Sequence, residues 1–91
     1  MAVKVSIPIA LQGYTGGNAE ITLKGKNVRA LLQDLVRKSP ELKQKIFNDA
    51  GQIMRFINIY VNDEDIRTLK QTDTSVRKGD RVLIIFAIAG G

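Results

Sequence analysis

Apolar side chains at Val3, Val5, Ile7 and Ile9 alternate with Lys4, Ser6 and Pro8. This period of two buries one face of a strand and leaves the other in water, so a first strand is predicted over residues 3–9. Gly13, Gly16, Gly17 and Asn18 then punctuate a loop. Ile21 and Leu23, alternating with Glu20, Thr22 and Lys24, predict a second strand that closes a hairpin with the first.

The period then changes. Val28, Leu31, Leu32, Leu35 and Val36 fall at i, i+3, i+4, i+7 and i+8 behind Asn27, an N-cap residue followed by one apolar stripe of a helix. At roughly 1.5–3 kcal/mol for each large apolar side chain fully buried, those five residues dominate the docking of the helix on a sheet. Ser39-Pro40 ends it, because the residue before proline is pushed out of the helical region. Leu42, Ile46 and Phe47 predict a further short helical turn, and residues 48–51 (Asn-Asp-Ala-Gly) a surface loop.

Residues 55–61, RFINIYV, are β-branched and aromatic and run into the turn-forming stretch 62–65 (Asn-Asp-Glu-Asp), which predicts a third strand. Phe56, Asn58 and Tyr60 would share one face, and Ile57, Ile59 and Val61 the other. Lys78-Gly79-Asp80 marks a turn. Residues 81–86 then form a final strand rich enough in Val, Leu and Ile to lie centrally. The order strand, strand, helix, strand, strand predicts one α+β domain over residues 1–91: a mixed sheet of four to five strands, one main helix on one face, the last strand beside the first, and a flexible tail over 87–91.

Composition narrows what such a domain does. Its 91 residues contain no cysteine and no histidine, which removes disulfides, Cys/His metal sites, thiol nucleophiles and the usual imidazole base. Without a second domain or a pocket to separate carboxylate pKa values, no catalytic residue and no metal site is expected. The longest apolar run, residues 82–89, is too short for a bilayer, and the N-terminus lacks the pattern of a signal peptide; a cytoplasmic protein with no membrane partner is expected. The net charge of +5 raises nucleic-acid binding. The cations are interspersed with acids, however, and aromatics for base stacking are few, so no nucleic-acid partner is expected and a basic face for a protein partner is the better account.

Two motifs invite function and fail. The stretch 13–17, Gly-Tyr-Thr-Gly-Gly, has no following Lys-Ser/Thr and opens a strand rather than a helix, so it reads as a turn and not a phosphate cradle. Asp63-Glu64-Asp65 lacks the alternate ligands and distal Glu of a calcium loop. The chain end, Ala87-Ile88-Ala89-Gly90-Gly91, remains. Two terminal glycines arise by chance in about 0.5% of chains at ordinary glycine usage. Glycine has no Cβ, so such an end threads a narrow channel and adopts angles closed to other residues. It would carry a carboxylate into another protein's active site, where activation, commonly as an acyl-adenylate from ATP, makes it an acyl donor.

Three segments resemble a known family, the β-grasp (ubiquitin-like) sulfur carriers that include the molybdopterin-synthase small subunit and the thiazole-synthesis carrier. They are KGDRVLIIFAIAGG (78–91), RFINIYVNDEDIR (55–67), and VKVSIPIALQGYTGG (3–17). The second is most similar to carriers of cysteine biosynthesis. Phe86-Ala87 stands where molybdopterin-type carriers often have Pro-Pro.

The resemblance implies a non-catalytic carrier with no bound cofactor. A ubiquitin-activating-type enzyme would use ATP to adenylylate Gly91, and a separate sulfur donor would convert it to a thiocarboxylate. Gly90 gives steric permission, and Ala89, Ile88 and Ala87 form the lead. Phe86, Phe56 and Tyr60 are expected on the partner surface. The acceptor would be a cysteine synthase-like enzyme taking an activated serine, or alternatively a molybdopterin-synthase large subunit or the thiazole pathway. A ubiquitin-like modifier joined to lysine is the other alternative.

Overall fold

The computed structural model describes residues 2–87. Five strands form one mixed sheet in the order β2-β1-β5-β3-β4: β1 Ala2–Ser6, β2 Glu20–Lys24, β3 Ile57–Val61, β4 Glu64–Asp65 and β5 Arg81–Phe86. β1 and β2 are antiparallel, β1 and β5 parallel, and β3 is antiparallel to both β5 and β4. The final strand therefore occupies the centre, beside the first, as its apolar run predicts. The long helix α1 (Val28–Lys38) and a one-turn helix α2 (Lys43–Ile46) follow the first hairpin.

The core is the layer between helix and sheet. Val3, Val5, Leu23, Ile57, Ile59, Val61, Val82 and Ile84 supply the sheet side, and Val28, Leu31, Leu32 and Leu35 the helix stripe. Val36 stays half-buried at the stripe's edge. Asn27 caps the helix, its Oδ1 accepting from Ala30 N–H at 2.8 Å, while Val28 N–H donates to Thr74 C=O and Val76 N–H to Lys26 C=O. Those bonds bind the helix start to residues 74–76, a stretch with no periodic signal that nonetheless buries Val76 and Thr74.

Three boundaries differ from the sequence reading. The first strand stops at Ser6, not Ile9: Pro8 has no N–H to give a ladder and precedes a 3-10 turn, Ile9–Tyr14, so the chain leaves the sheet and Ile9 is 87% exposed. Ile7 still enters the core. The third strand begins at Ile57, because Ile57 N–H turns back to Met54 C=O. The acidic turn is only two residues long. Asn62 and Asp63 both take positive φ, 50° and 72°, as a tight hairpin turn demands, and Glu64-Asp65 already pairs with Val61 and Tyr60 as β4.

Gly25 fixes the approach of β2 to α1. A Cβ there would lie 2.7 Å from Leu31 N and 2.8 Å from the Ala30 Cβ, contacts that backbone must move to relieve. Gly25→Ala should cost roughly 1–3 kcal/mol and lower the thermal midpoint, whereas Gly13→Ala, with nothing within 4 Å of its Cβ position, should leave it unchanged.

Candidate functional site at the root of the tail

β5 carries the chain end out of the middle of the sheet, held by β1 as far as Leu83 and by β3 up to Phe86. Phe86 lies opposite Ile57, and the ladder extends one residue further, with Ala87 N–H donating to Phe56 C=O at 2.7 Å. The tail is thus anchored through Ala87, one residue past the predicted exit at Phe86. Ile88, Ala89, Gly90 and Gly91, the proposed lead and reacting terminus, lie outside the described residues.

Phe56 and Phe86 meet at this exit with ring centroids 4.9 Å apart and planes tilted by 42°, a geometry favoured by aromatic quadrupoles. Phe86 also packs against the core, whereas Phe56 remains 37% exposed. Tyr60, expected on the same surface, lies two rows away opposite Leu83, on the sheet face without helices. The structure therefore brings two of the three predicted partner residues together at the exit, Phe56 and Phe86, with Phe86 turned mainly inward, and sets Tyr60 apart from them further back along β3.

Leu83 belongs to this surface and sequence reasoning missed it. It alternates with the buried Val82 and Ile84, so it points away from the core and is 40% exposed. Ile85 and Asn58, opposite each other in the next row, extend the patch towards the tail. The available signal was the unbroken apolar run 82–86: a strand with one wet face alternates, so apolar residues on both faces mark a second surface to be covered.

Two ionic arrangements stabilise the frame and lie away from the exit. Asp34, its side chain 5% exposed, accepts from Lys24 N–H at 2.9 Å and is paired by Arg37 and Lys38. That backbone donor, then the two cations, outweigh desolvation and lower its pKa from 3.8 to about 2. Arg67 binds Asp65 at 2.7 Å and holds that carboxyl below the usual range. Among the described residues no group of three or more His, Cys, Asp or Glu is placed to hold a metal ion. No helix among them is long and apolar enough to cross a membrane.

The comparisons with known proteins agree with this geometry. Sulfur carrier protein CysO of Mycobacterium tuberculosis is 38% identical over 93 aligned positions, covering 100% of both chains. A chain in the crystal structure of the Amycolatopsis orientalis BexX/CysO complex superposes with a TM-score of 0.89 at 38% identity, covering 99% of this chain and 100% of that one. Small archaeal modifier protein 1 of Methanosarcina acetivorans gives 0.87 at 30% identity, with 99% and 96% covered. The profile of the ThiS family matches residues 8–91, and on that match and the full-length identity to CysO the chain belongs to the ThiS family, whose β-grasp fold it has.

Proposed function

We propose that this protein is a sulfur carrier acting in the cytoplasm, a substrate of partner enzymes rather than an enzyme, with the carboxylate of Gly91 as its reacting group. The single observation that carries the reading is the full-length match to CysO at 38% identity, joined to a Gly90-Gly91 end that only Ala87, Ile88 and Ala89 separate in sequence from the central strand.

The chemistry proceeds in two displacements. A carboxylate oxygen of Gly91 attacks the α-phosphorus of ATP on a ubiquitin-activating-type enzyme, and pyrophosphate leaves. Hydrosulfide released by a separate donor then attacks the acyl carbon, AMP leaves and the proton passes to solvent, giving a thiocarboxylate with no change of oxidation state. The carrier's part is to present the end: Gly90 leaves room in a narrow channel, and Ala87, held to Phe56, fixes where the lead begins. The thiocarboxylate sulfur would go to a cysteine synthase-like acceptor, a choice supported by the CysO relatives. Phe56 offers apolar contact beside the tail, and Leu83 and Tyr60 offer it further back on the open face; that a CysO is crystallised with a second protein, BexX, supports docking of this kind.

Incubation with ATP, the activating enzyme and a sulfur donor should replace one terminal oxygen by sulfur in the intact mass. An unchanged mass with a verified partner set would reject the carrier reading. The likeness to the small archaeal modifier favours a second reading, in which the acyl carbon is retained in a bond to lysine; a stable lysine-linked adduct with no thiocarboxylate would establish it.

A further inference from the structure

The sheet face without helices changes character along its length. Nearest the tail are Ile85 and Asn58, and in the next row Ser6, Leu83 and Tyr60. One row further, Lys4 lies directly opposite Arg81 in the parallel pairing of β1 with β5, with Thr22 on its other side. Lys24, opposite Ala2, stands behind them. Adjacent strands are about 4.8 Å apart, and like charges placed opposite each other destabilise a sheet.

Among the described residues no ion pair relieves this. The ion pairs among the described residues join Arg29 to Asp73, Arg37 and Lys38 to Asp34, and Arg67 to Asp65, and none includes Lys4, Lys24 or Arg81. Asp80 directs its carboxylate to the Asn62 amide and the Arg77 N–H. Glu20, on the same face, is opposite Ser6, diagonal to Lys4. Asp63 and Glu64 sit in the β3–β4 hairpin and form no ion pair with Arg81.

We infer that this whole face is one docking surface for a protein partner that meets the Lys4–Arg81 pair with an acidic cluster while its apolar surface covers Leu83, Ile85 and Tyr60. The inference rests on the carrier reading, which makes the partner an enzyme that takes the tail. The register sets the spacing. At about 3.3 Å per residue, the cationic row is about 7 Å from the Leu83 row and about 20 Å from Ala87. An acidic patch at that distance from the partner's channel entrance would steer the carrier tail-first, since opposite potentials raise association rates and fix orientation.

The test uses the full chain and the adenylating enzyme from the same genome, comparing the intact protein with Lys4→Glu/Arg81→Glu. Both side chains are exposed, and matched thermal midpoints check that the fold is kept. At low ionic strength the double variant should need about tenfold more carrier for half-maximal ATP–pyrophosphate exchange and should associate about tenfold more slowly in stopped flow. The maximal exchange rate should stay the same, and high salt should close the gap.

Equal half-saturation and equal salt response in the two chains would overturn the inference. A labelled oligonucleotide that binds the intact chain saturably at physiological salt, but not the variant, would also overturn it by assigning the row to nucleic acid. If neither chain supports exchange, the carrier reading falls, and the association rates with the same enzyme still decide the docking face.

Discussion

Deletion of Gly91 is expected to abolish ATP–pyrophosphate exchange by the activating enzyme while leaving the thermal unfolding midpoint where it stands in the intact chain. The two halves of this result have separate physical origins. The last described contact of the chain end is the bond from Ala87 N–H to Phe56 C=O, and among the described residues Phe86 is the last that packs against the core. Chain ends that lack tertiary contacts contribute little to stability.

Reactivity is set by reach. With Ala87 held to the sheet, the four residues to Gly91 span at most about 14 Å, and each residue removed withdraws the carboxylate by about 3.3–3.6 Å. In-line attack needs reacting atoms at about 3–3.5 Å with correct alignment, so one missing residue places the carboxylate out of range. Gly90→Ala should be milder, lowering exchange without eliminating it, because its Cβ meets the channel wall and closes positive φ. Equal exchange by all three chains would show that the tail is not the reacting group.

The second large effect falls on the frame. Asp34→Ala should destabilise the protein by about 3 kcal/mol, since it strands the Lys24 N–H at the helix–sheet boundary and removes the carboxylate between Arg37 and Lys38. The pH dependence gives an independent check. The folded pKa of about 2 lies below the 3.8 of the unfolded chain, so the contribution is fully present above about pH 4 and is lost as pH falls through 2. A displacement of that size corresponds to about 2.5 kcal/mol.

Asp65 and Asp80 are also lowered in the folded state, so the intact protein weakens in acid for more than one reason. The difference between the intact chain and Asp34→Asn isolates this group: it should be largest at neutral pH and shrink between pH 4 and 2. A difference independent of pH would show that Asp34 acts through packing rather than charge. Chemical denaturation at stepped pH measures both.

Elements whose cause is local were legible in the amino-acid order. A period of two at Val3 and Val5, a helical stripe from Val28 to Leu35 behind the Asn27 cap and an apolar last strand each state their own conformation, because side-chain alternation and capping act within a few residues. The family likeness was legible for the same reason, in contiguous motifs. Tertiary structure decided what depends on which strand lies beside which. Ile9 continues the alternation of β1 in sequence, yet it is exposed because the chain turns at Pro8. Asp34 looks like a solvated helix residue until β2 brings Lys24 N–H against it. Leu83 and Arg81 read as members of a buried strand, and only the pairing of β5 with β1 and β3 puts Leu83 on an open face beside Tyr60 and sets Arg81 against Lys4. Register between distant strands fixes these neighbours, and register is set by the packing of the whole core and not by any one segment.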